Sequence, residues 1–190
     1  MDIIDLMELI VIKEAGQIGR YTLKDALEVS EGKTRSRLKK LLNEGLITEG
    51  PLGASLTSKG ERELNQKLRK FNIKKYLFST QTILDTSLNH YIFQIVNFQI
   101  ENMKLIQLRD EAIRGGASSA IFIFYKQGKL TVPGVYNDLA EIDEKTCLLL
   151  KDNFDLSEGD LLIAASSKNR WLALKGCLHA IQVLTENTLR

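Results

Sequence analysis

Apolar residues in the first seventy positions recur at intervals of three and four, and beyond residue 90 they gather in unbroken runs of five or six. The first pattern is that of helices with one buried stripe, and the second that of strands in a well-covered sheet. Ile3, Met7, Ile10 and Val11 place a helix over about residues 2–14, which Gly16 ends. Ile4, Leu6 and Leu9 widen its stripe beyond one face, so it should serve two contact surfaces, one in its own domain and one on a neighbour or a second chain. Thr22 is expected to open a short helix, with Asp25 three residues on in a capping-box arrangement and Leu23, Ala26 and Leu27 on its inner side. Val29 to Gly32 interrupt the pattern, and Ser30 is a natural N-cap for a third helix over about residues 31–43. That helix turns Thr34, Leu38, Leu41 and Leu42 inward. Its other side carries Lys33, Ser36, Lys39, Lys40 and Asn43, flanked by Arg35 and Arg37. Gly45 caps it, the chain becomes extended, Gly50 to Ser55 form a turn, and Leu56-Thr57 return as a second strand before a fourth helix that runs to about Lys70.

In the second half, residues 73–89 have no clean period and are treated as a connecting segment with room for a strand, with a domain boundary near 72. Strands are expected over 91–96, 120–125, 130–132 and 160–165, and helices over 101–114, 143–153 and 168–185. A hairpin turn at Lys126 to Lys129 joins the second and third strands. The order is β-α-β-β-α-β-α, whose first six elements are the split βαβ pattern of a ferredoxin-like sandwich. The expected fold class is therefore α+β: an N-terminal helix-turn-helix with a β-hairpin wing over 1–72, then a ferredoxin-like βαββαβ domain over 90–190 with an extra C-terminal helix. Helices on one face of such a sheet leave the other free, unless the last helix or a second subunit covers it.

Composition changes this picture little. The chain has 190 residues, 44% of them apolar and 26% charged, as in an ordinary globular protein of two domains. No stretch is apolar enough for a membrane span, and the N-terminus has no signal-peptide character, so a cytoplasmic protein is expected. Cys147 and Cys177 each lie in an apolar run, as buried thiols of a reducing compartment do. The net charge of +2 is uninformative until it is divided. Lys33, Arg35, Arg37, Lys39 and Lys40 then stand out as five basic residues within eight positions, with no acid among them. A basic stripe on a charge-balanced protein is the footprint of a phosphate-bearing partner, although a short basic run is also an ordinary solvated helix face.

The run Leu41-Leu42-Asn43-Glu44-Gly45-Leu46-Ile47, followed at wing-length spacing by Leu56-Thr57-Ser58-Lys59-Gly60, resembles the winged-helix transcription regulators of bacteria and archaea. The resemblance implies that the third helix enters the DNA major groove and that the wing touches the backbone. Carried across, it implies contacts from Lys33, Arg35, Ser36, Arg37, Lys39 and Lys40, with Ser55 or Lys59 near phosphate. Arginines can reach guanine edges, whereas lysines more often hold phosphates. The turn Pro51 to Ser55 departs from the pattern by carrying no basic residue. Five phosphate contacts from one copy give only weak, salt-sensitive binding, so specific recognition requires a dimer on a repeated half-site.

Coupled to a winged helix, the C-terminal pattern resembles feast/famine regulators, whose α/β sandwich pairs subunits and senses a small molecule. It is similar in fold, more distantly, to the effector domain of archaeal nitrogen-regulation repressors. Arg114-Gly115-Gly116-Ala117, Ile123, Tyr125, Gly128-Lys129-Leu130 and Pro133-Gly134 are also similar to a group of archaeal winged-helix proteins of unknown function. Two segments could meet an effector. Gly115, Gly116, Ser118 and Ser119 lie between a helix and a strand, where a tight turn needing glycine is the plainer reading. Lys168 and Arg170 flank a helix start that could hold a carboxylate or phosphate, where an ordinary cap is the plainer reading. His90 and His179 show no metal-ligand spacing, and no nucleotide fingerprint, nucleophile elbow or CxxC is present, so no cofactor, metal or catalytic residue is expected. The leading reading is a dimeric DNA-binding transcriptional regulator with a small-molecule effector. The alternative is an adaptor whose winged helix binds protein in a transcription or replication assembly.

Overall fold

The apolar stripe at the start of the chain forms helix α1, Ile3–Ala15, in the computed structural model, which describes residues 3–81, 88–97 and 105–188. Burial is continuous from Leu6 to Ile12, so it runs right round the helix instead of along one face. Helix α2, Arg20–Leu27, begins two residues before the expected Thr22. Gly19 is its N-cap, in extended conformation and with no side-chain bond, so the Thr22–Asp25 capping box does not start it. Helix α3, Glu31–Asn43, starts as expected at Ser30, whose Oγ accepts the Lys33 N–H at 3.3 Å. Thr34, Leu38 and Leu41 are its buried side.

Strands β1, Ile47–Gly50, and β2, Gly53–Leu56, then pair as an antiparallel hairpin closed by Pro51 and Leu52. A bridge between Ile18 and Ala54 ties that hairpin to the loop before α2. Helix α4, Ser58–Lys70, completes this unit. Gly60 is where close approach demands glycine, because a Cβ there would lie 2.0 Å from the Leu46 carbonyl oxygen. Two compact units result, residues 1–70 and 71–190.

The second unit is a five-stranded sheet in which every pairing is antiparallel. Its strands are β3, Ile73–Ser79; β4, Asn89–Ile95; β5, Ser119–Lys126; β6, Lys129–Thr131; and β7, Leu161–Ser167. Residues 73–79, read from the sequence as the start of a connection, are thus the edge strand β3. The rest of that segment at 82–87, and the expected first turn of the next helix at 101–104, lie outside the described residues. Helix α5, Leu105–Arg114, follows β4, and α6, Glu144–Asn153, follows a short 3-10 turn at Leu139–Glu141. Helix α7, Arg170–Thr188, comes last.

From β4 onward the order of strands and α-helices matches the expectation, but the ferredoxin-like strand order does not. That order would place β7 at an edge beside β4. The observed order is β3-β4-β7-β5-β6, with β7 between β4 and β5. The physical reason lies in the two strands themselves. All seven residues of β7 are buried, a run that only a central strand can use, whereas the three-residue β6 is half solvated and suits an edge. The helices differ too. Helices α5 and α7 pack together, and α7 lies on β4 and β7. The face bearing Ile92, Ile123, Leu162 and Ala164 is instead packed by Cys147, Leu150 and Phe154 around α6. The sheet is therefore covered on both faces, and neither is left free for a partner subunit as a one-faced sandwich would leave it.

Candidate nucleic-acid interface

Helix α3 shows its charge on the side away from Thr34, Leu38 and Leu41. At about 100° per residue, Lys33, Arg35, Ser36, Lys39, Lys40 and Asn43 share that outer side, and all six are exposed. Lys33, Lys39 and Lys40 form no ion pair among the described residues. Arg35, two-thirds exposed, reaches back one turn to Glu31 at 3.1 Å, a surface pair worth little and easily exchanged for a phosphate.

Arg37 does not belong to this face. Its guanidinium turns toward α1, donating from Nε to Glu8 at 3.0 Å and from Nη2 to Asp5 at 2.8 Å, and only 22% of the side chain is exposed. Glu8 is almost wholly buried, with Oε1 meeting no partner. Burial pushes its carboxyl above the ordinary glutamate range, and the pull of Arg37 does not fully offset it. A buried carboxylate needs its counter-charge, so Arg37 is committed to holding α3 on α1. It was expected among the DNA contacts, and the structure places it against Asp5 and Glu8 of α1 instead.

Beside the exposed face runs a groove of about 600 Å³ between α3, the start of α2 and the β1–β2 hairpin. Arg35, Lys39, Leu38 and Leu42 form one wall, and Glu49 to Ala54 form the other. Arg20 and Tyr21 also line it. These two residues were missed in the sequence. Arg20 sits 5.0 Å from the Tyr21 ring and 3.2 Å from Glu31, and Tyr21 is 61% exposed. The adjacent Arg-Tyr pair was visible, but nothing in the helical period of α2 showed that it faces α3 across a cleft. Three cations against the acids Glu31 and Glu49 leave this region positive and suited to a phosphodiester strand.

The hairpin residues expected near phosphate are placed otherwise. The groove is lined by Ala54 and not by Ser55, which alternates onto the other side of β2. The Lys59 ammonium donates to the Glu44 carbonyl at 2.6 Å, where it caps the C-terminal end of α3. The tip itself is Pro51 and Leu52, the latter 74% exposed.

In the second unit the candidate effector residues divide between packed and exposed positions. A Cβ on Gly115 would meet Gly176, Lys175 and His179 of α7 at 3.0 Å, and one on Gly116 would meet the Leu172 side chain at 2.8 Å. Gly115 lets α7 approach closely, and Gly116, at φ 108°, holds a left-handed turn conformation that favours glycine. Ser118 donates its N–H to the Ser166 carbonyl at 2.7 Å, and the Ser119 hydroxyl meets that of Ser166 across the strands. Lys168 is exposed. Arg170 is held by aromatic rings, 4.0 Å from Phe78 and 4.3 Å from Trp171, and donates to the Tyr91 hydroxyl at 2.9 Å. Its guanidinium is thus engaged by groups of the second unit itself. Asn169 caps α7 through the Trp171 N–H, the plainer of the two readings. Both cysteines are buried, and burial raises both thiols away from reactivity.

Residues 87–184, from the approach to β4 through most of α7, match a family model described as Domain of unknown function (DUF4443). The chain belongs to the DUF4443 family. A hypothetical protein from Pyrococcus horikoshii OT3 is similar in structure over 100% of this chain and 96% of its own, with a TM-score of 0.74 and 24% sequence identity. That likeness shows a shared fold. No curated protein matches the chain. The DUF4443 stretch lies within the second unit, whereas the exposed basic face lies in the first. No described helix is long and apolar enough to cross a membrane.

Proposed function

We propose that residues 1–70 are a winged helix-turn-helix module that binds duplex DNA, and that the protein is a non-enzymatic, cytoplasmic transcriptional regulator acting as a dimer. Lys33, Lys39 and Lys40, exposed and without ion pairs on one side of α3, are the observation that supports this reading most directly. In this reading α3 enters the major groove, with Arg35 and Ser36 nearest the bases. The cleft beside it, with Arg20 and Tyr21, follows one backbone strand. The uncharged hairpin adds little electrostatically. The test is a duplex-binding titration of Arg35→Ala/Lys39→Ala/Lys40→Ala, with helicity followed by circular dichroism. Affinity should fall at least tenfold with the fold intact, and unchanged binding would sink the assignment of α3.

A second reading draws on a different feature. Leu52, Tyr21 and Leu42 are exposed around the groove, as in a module that docks on protein. An adaptor of this kind would lose its partner on Leu52→Glu and be indifferent to the triple alanine variant. A small-molecule effector on the second unit completes the proposal, with Ser118, Ser119 and Lys168 as its remaining exposed residues. Thermal shift against amino acids, 2-oxo acids and nucleotides tests it, and a flat panel leaves the second unit without a sensing role.

A further inference from the structure

Helix α5 turns Leu108 and Ala112 into the second unit and leaves its opposite side in solvent. Two isoleucines stand on that outer side, Ile106 at 71% exposure and Ile113 at 43%. Between them lie Arg109 and Asp110, both exposed and neither in an ion pair among the described residues. The spacing i, i+3, i+4, i+7 puts all four in one stripe. Arg114, at its margin, is already paired with Glu111.

The order Ile-Arg-Asp-Ile along this stripe reads the same in apolar character from either end, and with opposite charge. A twofold axis midway between Arg109 and Asp110 would bring a second α5 alongside, antiparallel. Each Ile106 would then lie level with the other copy's Ile113, and each Arg109 opposite the other copy's Asp110. That self-complementarity is what an isologous interface requires, because one patch must fit itself.

We propose that the outer stripe of α5 pairs two copies of this chain as an antiparallel helix pair, closed by two reciprocal Arg109–Asp110 bridges between layers of isoleucine. This deepens the dimeric part of the proposed function and is independent of DNA binding. A ten-residue helix offers much less than the ~800 Å² per partner typical of a stable complex. The pairing is therefore weak and concentration-dependent, with dissociation in the micromolar range or above.

The full chain should show a mass that rises with concentration in sedimentation equilibrium. Arg109→Glu sets two acids against each other, and Asp110→Arg sets two bases. Each should raise the dissociation constant by roughly tenfold or more. The double exchange, Arg109→Asp with Asp110→Arg, restores complementarity and should restore pairing. All these positions are exposed, and circular dichroism controls for folding. A monomer at every concentration, single variants that pair like the parent, or a double exchange that fails to recover would overturn the proposal. Duplex binding measured on the same samples separates the readings. A chain that stays monomeric yet binds DNA overturns the α5 pairing alone, and a chain that pairs through α5 without binding DNA upholds it.

Discussion

Arg37 shows how little residue type says about role when a helix has charge on two sides. It lies in the same basic run as Lys39 and Lys40, yet its guanidinium is the counter-charge of a carboxylate that is 2% exposed. Removing it with Arg37→Ala leaves Glu8 buried without a cation, which should cost about 2–4 kcal/mol of stability at neutral pH, read from thermal or denaturant melts. The cost should shrink on acidification, because a protonated Glu8 needs no counter-charge. Glu8 also gives the parent protein a pH signature. Its carboxyl is held above its ordinary value in the folded state, so the folded form binds the proton more tightly than the unfolded one. The resulting stabilisation is full below the ordinary glutamate pKa and is lost as pH rises through the raised one. Melts of Glu8→Gln against pH should lack that component, so wild type should gain on the variant as pH falls. A constant difference between the two would remove the raised pKa.

At the scale of elements, the packing of α5 on α7 is decided by small residues. Gly176 is inside a helix, where alanine ordinarily gains about 1 kcal/mol by propensity. Here a Cβ would lie 2.6 Å from that of Ala117 and 2.9 Å from the Ala112 carbonyl oxygen, contacts a packed backbone cannot relieve cheaply. Gly176→Ala should therefore destabilise by about 1–3 kcal/mol despite the better helix former, as denaturant midpoints would show. A stabilised variant would mean the two helices can separate. The same pair shows where sequence reading stopped. Gly115-Gly116 was readable as a turn, but Gly176, sixty residues on, gave no local sign of being its partner. Helix α3 was legible almost to the residue, because an N-cap serine, an inward stripe and a capping glycine are all local. The start of α2 was not, because Gly19 offers no side-chain cap and tertiary contacts set the boundary.

For the whole molecule, the net charge of +2 is too small to draw in DNA by itself, so any binding must come from the local face of α3. If Lys33, Arg35, Lys39 and Lys40 neutralise four phosphates per copy, log affinity should fall with log salt at a slope of about −3.6 per protomer site. A slope near zero in the same titration would transfer the basic face to another partner. Doubling the slope on long duplexes at high protein concentration would link binding to pairing. Apart from β3 and the start of α2, the sequence by itself determined the helices and strands of the described residues, their order and the charged face of α3, since each follows from spacing and capping within a dozen residues. Tertiary structure alone decided three things. It placed β7 in the centre of the sheet, where seven buried residues can be covered on both faces. It gave Arg37, Lys59 and Arg170 each a hydrogen-bond partner distant in sequence. It also brought Arg20 and Tyr21 into the lining of a groove beside α3. Each of these depends on contacts between residues far apart in the chain, and no local pattern specifies which distant group will be there.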